Sequence, residues 1–124
     1  MQKLTKAEEE IMQIIWTLGP CTVSDIRTYI AEDLQQEKPP HSSISTIVRI
    51  LEKKQFLNHK AYGRTYEYHP LITKEEYSDF SLNKLVSDYF EGSPNRLVSF
   101  LIKKKDLNLK DLNDLMNKLD NLNE

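Results

Sequence analysis

Six basic side chains, Lys38, Arg49, Lys53, Lys54, Lys60 and Arg64, fall within residues 38–66 against a single acid, Glu52. The flanks are acidic. Residues 1–37 carry three basic and seven acidic groups, and residues 67–124 carry eight and eleven. The formal net charge of −2 therefore hides a stripe of +5 over 29 consecutive residues. A local basic stripe is the footprint expected for phosphate binding, because clustered Lys and Arg neutralise a polyanion. The plain alternative is a solvated charged face. Small hydroxyls, Ser42, Ser43, Ser45 and Thr46, stand beside the bases. Hydroxyl and guanidinium groups are the types that hydrogen-bond phosphates and base edges.

Other chemistry finds no support in the residue spacing. No GxSxG, HExxH, GxGxxG or P-loop pattern occurs, and three glycines leave no glycine-rich phosphate cradle. His41, His59 and His69 are scattered, so no catalytic residue, metal site or cofactor is assigned. The serines precede or open a helix, where capping is their ordinary use. Cys21 sits at a helix entrance, where a dipole lowers a thiol pKa. It is also the size of a small core residue, and that reading is preferred. As the only cysteine it can form no internal disulfide. Trp16 reads as core or interface filler rather than a base-stacking group.

The elements that must hold the basic stripe can be read in order. Thr5-Lys6-Ala7-Glu8 is a capping box. Leu4, Ala7, Ile11, Ile14, Ile15 and Leu18 then follow helical spacing up to Gly19-Pro20. Cys21–Val23 is a short extended piece. Ser24 can cap a second helix with Ile26, Tyr29, Ile30 and Leu34 inside. After a polar linker ending at Pro40, a third helix is predicted from Ser42 or Ser43 to about Lys54. Its inner face is Ile44, Ile47, Val48 and Leu51, and its outer face Ser42, Ser45, Thr46, Arg49 and Lys53. Two alternating segments, Phe56–Lys60 and Thr65–His69, flank a hairpin loop, Ala61-Tyr62-Gly63-Arg64. Three helices and a hairpin are the order of a winged helix-turn-helix. In that architecture one helix enters the major groove and the hairpin wing touches the flanking backbone. The basic stripe coincides with the third helix and the wing.

Residues 73–124 read as wholly helical, with a capping box at Thr73–Glu76, a stop at Gly92 and Ser93-Pro94 opening the next helix. Asn108 caps a last helix carrying a leucine seam. These 52 residues hold 19 large apolar side chains, too small a piece to stand alone without help. A second copy supplies that help, with Tyr77, Phe80, Leu85, Tyr89, Leu97, Leu101, Leu112, Leu115, Met116 and Leu119 as dimerisation candidates. Alternatively the same seams pack back onto the N-terminal part. The expected architecture is mainly α with a small β-hairpin: a winged helix-turn-helix DNA-binding domain over 1–72 and a helical dimerisation domain over 73–124. The apolar share is 39%, and no run approaches the ~18 apolar residues of a membrane span. The N-terminus lacks an apolar signal region, so no membrane insertion and a cytoplasmic location are expected.

Three segments together, LTKAEEEIMQIIW with Trp16, the run Thr46–Lys54 and the wing His59–Tyr68, resemble the penicillinase-repressor (BlaI/MecI) family of bacterial transcription regulators. That family also includes copper-responsive repressors. The resemblance spans nearly the whole chain. It implies a homodimeric winged-helix repressor on a palindromic operator of double-stranded DNA. In the antibiotic-resistance branch it also implies relief through cleavage by a membrane sensor metalloprotease. It assigns Ser43, Thr46 and Arg49 to the recognition helix and Lys60, Tyr62 and Arg64 to the wing. Its cleavage point falls at Ser99-Phe100, where the family usually has Asn before the cut. Gln55 stands where the family usually has Gly. The copper branch carries C-terminal cysteines, which this chain lacks.

The function read from the sequence is a sequence-specific transcriptional repressor, not an enzyme. Ser42, Ser43, Ser45, Thr46 and Arg49 meet the groove, with Lys53, Lys54, Lys60, Tyr62 and Arg64 along the backbone. The competing reading is a winged helix used only for protein–protein contact, which would expose apolar residues on the outer face of the third helix.

Overall fold

A computed structural model describes residues 1–105 together with 108, 110, 111, 113, 114 and 117. Two compact units divide the chain, Met1–Phe80 and Ser81–Glu124.

The first unit begins with α1 (Lys6–Leu18), whose start is fixed by the expected capping box. The Glu8 amide donates to Thr5 Oγ1 at 3.2 Å and the Thr5 amide to Glu8 Oε1 at 3.2 Å. Gly19 ends the helix at φ 78°, a conformation cheap only for glycine. The helix α2 (Val23–Glu32) is capped by Thr22, not by Ser24. Thr22 and Asp25 form a reciprocal box at 2.9 and 3.1 Å, which leaves Ser24 exposed in the first turn. Its last turn closes through Gln35 at φ 52°, with the Gln36 amide reaching the Ile30 carbonyl at 3.1 Å. The linker is held by Arg27, whose Nε donates to the Pro39 carbonyl at 2.8 Å.

Next comes α3 (His41–Lys53), which starts a residue or two earlier than the serines suggest. Pro40 occupies the cap and no side chain caps the helix. Its end is a Schellman closure. The Gln55 amide bonds the Glu52 carbonyl at 3.0 Å and the Phe56 amide the Leu51 carbonyl at 2.9 Å. Gln55 takes the left-handed position at φ 65°. Phe56, the next residue, is fully buried.

The wing pairs β1 (Leu57–Tyr62) with β2 (Thr65–Pro70) antiparallel, in the register Leu57↔Pro70 to Tyr62↔Thr65. The strands are longer than expected, because Ala61 and Tyr62 belong to β1 and the turn is Gly63-Arg64 alone. Gly63 has φ 64° and Arg64 is not in the left-handed region, the pattern of a type II′ hairpin turn. Cys21 adds a third, one-residue strand. Its amide meets the Tyr68 carbonyl at 2.9 Å, and the return bond is 2.7 Å.

These elements close over one core of Ile11, Met12, Ile15, Ile26, Val48, Leu51, Phe56, Leu57 and their neighbours. Ala7, Leu18 and Leu34, expected inside, are exposed. Tyr77 belongs to this core, although the sequence reading puts it on a dimerisation seam. Its ring meets Phe56 edge-on at 5.5 Å. Its hydroxyl accepts from the Leu4 amide at 3.0 Å and donates to Glu9 at 2.9 Å. Phe80 packs on the same cluster. The first turns of α4 (Lys74–Tyr89) therefore belong to the first unit, and its boundary falls after Phe80 rather than after residue 72. Trp16 packs here too, its indole N–H donating to the Ile72 carbonyl at 2.8 Å.

In the second unit α4 ends at Tyr89, and Glu91 and Gly92 both take left-handed backbone. Ser93 accepts from the Arg96 amide at 3.3 Å and opens α5 (Pro94–Lys105). Phe90 and Phe100 meet edge-on at 5.4 Å. Beyond α5, Asn108 accepts from the Asp111 amide at 2.8 Å, as a cap should. The seam residues Leu112, Leu115, Met116 and Leu119 lie outside the described residues.

Candidate nucleic-acid interface

The interface is built on α3. With 3.6 residues per turn, Ser42, Thr46, Arg49 and Lys53 fall in one file. All four are exposed, while Ile44, Val48 and Leu51 on the opposite side are buried. The buried stripe fixes which way the file points. Thr46 turns its hydroxyl proton back to the Ser42 carbonyl at 2.8 Å. The residue itself remains exposed to an approaching group.

One polar pair sets the wing beside α3, and one stack braces the wing itself. His59 Nδ1 meets Glu52 Oε2 at 2.5 Å, and the His59 ring stacks on Tyr66 with centroids 4.2 Å apart. Glu52, the single acid of the basic stripe, is thereby engaged within the protein. Side chains alternate across a strand, so the register puts Leu57, His59, Ala61, Tyr66 and Tyr68 on one face of the wing. Lys60 and Tyr62 take the other face and are exposed, and Arg64 sits at the exposed tip.

Between α2, α3 and the wing lies an open cleft of about 350 Å³. Arg49, Arg64, Ser45 and His41 line it, together with Ser24, Thr65 and Tyr66. Two cations from separate elements thus share one polar hollow. The Tyr68 hydroxyl beneath it is pushed above the usual phenol range, by burial first and by the Glu52 charge next, with Arg49 acting in the opposite sense. It stays neutral near physiological pH. Sequence reasoning missed Ser24, His41, Thr65 and Tyr66 as lining groups. Strand parity, which puts Tyr66 on the face of His59, is the signal that would have found Tyr66.

Lys54 departs from expectation. The sequence reading places it on phosphate, but its ammonium binds both carboxylate oxygens of Glu8, with Oε2 at 2.9 Å. Glu8 is buried at 5% exposure. Burial alone would push its carboxyl up. The hydrogen bond and charge of Lys54, with the bonds from Thr5, outweigh that and hold it below the usual carboxylate range. Lys54 therefore anchors α3 to α1. The Cys21 thiol is pushed up to about 12, chiefly by burial and then by Asp25 and Glu67, which makes it a core thiol. Among the described residues no group of three His, Cys, Asp or Glu side chains could hold a metal ion, and no helix is long and apolar enough to cross a membrane.

The family model described as "Penicillinase repressor" matches residues 4–121. The methicillin resistance regulatory protein MecI of Staphylococcus aureus (strain N315) is 25% identical over 116 residues, covering 93% of this chain and 91% of that protein. The penicillinase repressor of Bacillus licheniformis is 25% identical over 113 residues, covering 91% and 86%. Among solved structures, the DNA-binding domain of the repressor BlaI aligns with a TM-score of 0.51 at 28% identity. It covers 62% of this chain and 94% of that domain.

Proposed function

This chain belongs to the penicillinase-repressor family, a family of transcriptional repressors and not of enzymes, and on that premise we propose that it is a DNA-binding repressor acting as a homodimer on a palindromic operator. The observation that carries the reading is the outer file of α3. Ser42, Thr46, Arg49 and Lys53 are exposed together, on a helix whose other side is locked into the core, with the cationic wing tip alongside. A protein-docking helix would present an apolar stripe there, and this file presents hydroxyls and bases. Helix α3 enters the major groove and reads base edges through Thr46 and Arg49, with Ser42, Ser43 and Ser45 beside them. Lys53, Lys60, Tyr62 and Arg64 position the protein on phosphates. The protein works where the chromosome is, in the bacterial cytoplasm.

Homodimerisation is supported by the apolar residues that the second unit leaves exposed. Leu82 is 50% exposed, Leu85 42% and Tyr89 76%. Leu97 and Leu101 on α5 are half-buried. Relief by a membrane sensor metalloprotease is supported by the position of Ser99-Phe100, exposed on α5 next to the Phe90 ring. A protease needs extended chain, so cutting there requires the middle of α5 to open first.

Binding titrations over a salt series test the reading. Log affinity should fall with log salt at about −0.9 per phosphate neutralised. With the exposed bases doubled in a dimer, and several of them missing the backbone, we expect a slope of roughly −5 to −8 on that rule. Thr46→Ala or Arg49→Ala should lose discrimination between operator and random DNA by about 1–3 kcal/mol. Lys60→Ala or Arg64→Ala should weaken both alike. Four mutants with one common profile would remove α3 from its role as reader.

A further inference from the structure

One residue on the outward half of α3 does not fit a surface of hydroxyls and bases. Ile50 is 40% exposed and takes no part in the core cluster, in contrast to Ile44, Ile47, Val48 and Leu51 on the same helix. It follows Thr46 by four residues and Ser43 by seven, which puts it about 40° around the axis from the first and about 20° from the second, on one side of α3. Counted the same way, it lies about 100° from Arg49, on the edge away from the wing-facing Ser45 and Glu52. Its outer half therefore borders the groove-facing file instead of resting on protein.

We infer that Ile50 is a specificity-determining residue, which reads the C5-methyl group of a thymine in each operator half-site. The inference rests on the reading of α3 as the groove helix and goes beyond it, by naming the base and the atom recognised. In the major groove only thymine among the bases presents a methyl group, and apolar side chains are what recognise it. An isoleucine offers no hydrogen bond, so a cytosine amino group or a purine acceptor facing it would lose its water without compensation. The continuity of Ile50 with Thr46 and Ser43 argues for this occupant. A groove-seated helix brings base edges against that whole file, and the surrounding cations belong to a surface that meets an anion. Thr46, exposed one turn before Ile50 with its hydroxyl proton turned back to the Ser42 carbonyl, stands beside it on that side of the helix.

The test uses the full chain and an operator selected from randomised duplexes. Each thymine in the selected sequence is replaced in turn by deoxyuridine, which removes the methyl and nothing else. Affinities are then measured for the native protein and for Ile50→Ala and Ile50→Val. We expect one position per half-site at which uracil weakens native binding about fourfold, the equivalent of about 0.8 kcal/mol for one buried methyl-sized group. At that position Ile50→Ala should be indifferent to uracil and Ile50→Val intermediate, while the other thymine positions keep their native response in both variants. Ile50 is outside the core, so circular dichroism should show both variants folded. Identical uracil profiles for the native protein and Ile50→Ala overturn the inference and leave the repressor reading intact. A selection that returns no preferred sequence overturns the repressor reading and this inference with it.

Discussion

Lys54 and Glu8 form the pair whose removal says most about how charge is divided between folding and binding. Glu8 is buried and its carboxyl is held below its ordinary value, with burial working against Lys54 and Thr5 and losing. A folded-state value below the unfolded one contributes stability above the unfolded pKa, and the contribution disappears as pH falls through the folded value. Lys54→Met should therefore cost about 3 kcal/mol near pH 7, toward the low end for stranding a buried charge because Lys54 itself is partly exposed. The deficit should shrink as the medium is acidified and Glu8 takes up its proton. Thermal melts of both proteins between neutral and acidic pH check this. The same variant sorts the cations. If Lys54 serves the core, its removal leaves the salt slope of operator binding unchanged. If it touched DNA, the slope would become shallower by about 0.9 for each phosphate no longer neutralised. Arg49 stands at the other pole: exposed, facing the cleft, and held in no ion pair among the described residues. Sequence position alone does not separate these two bases, both in the middle of one basic stripe. What separates them is an ion pair that spans 46 positions of chain.

At the scale of elements, the end of α3 carries a local conflict. The Schellman closure puts Gln55 at φ 65°, where a residue with a Cβ pays roughly 1–2 kcal/mol that glycine does not. The hydrogen bonds of the motif and the burial of Phe56 hold it there. Gln55→Gly should therefore stabilise the first unit by about 1 kcal/mol, net of glycine's greater freedom in the unfolded chain. For a unit of this size that is a rise of roughly 4–8 °C in Tm, readable by calorimetry. A lower Tm would show that Gln55 makes a compensating interaction. Legibility follows the same division between local and distant causes. The capping boxes at Thr5 and Thr73, the cap at Ser93 and the buried stripe of α3 are readable because each depends on residues three or four positions apart. The cap of α2 is misread by two positions. Ser24 and Thr22 are both hydroxyls, and the reciprocal carboxylate of Asp25 decides for Thr22. The wing is legible by its alternation. Its attachment to α3 through His59 and Glu52, and the cleft that results, depend on packing that no spacing encodes.

At the scale of the whole molecule, the proposed homodimer would grip its operator twice. A two-fold dimer places two α3 helices in major grooves about 34–36 Å apart, or a multiple of it. The two half-sites then act with an effective concentration that neither alone provides. The exposed face of α4 carries the test within the described residues. Leu85 is 42% exposed and Tyr89, one turn on, is 76% exposed, while Lys84 and Asp88 pair with each other at 3.0 Å. A leucine is worth roughly 1.5–3 kcal/mol when fully buried. Leu85 has about half of that left to gain in an interface, and two-fold symmetry counts it twice. Leu85→Asp would also bury a carboxylate in each half of such an interface. The dimer should therefore weaken at least tenfold, at about 1.4 kcal/mol per decade. In sedimentation at micromolar concentration the variant should shift toward monomer. Its first unit should melt as before, because Leu85 lies outside it. Operator affinity should fall, while binding to an isolated half-site, which needs only one α3, should hold. A variant that stays dimeric and keeps full operator affinity would move the interface off α4, leaving the leucines of the C-terminal seam to carry it. Cutting at Ser99-Phe100 would then act by detaching that seam rather than by loosening α4.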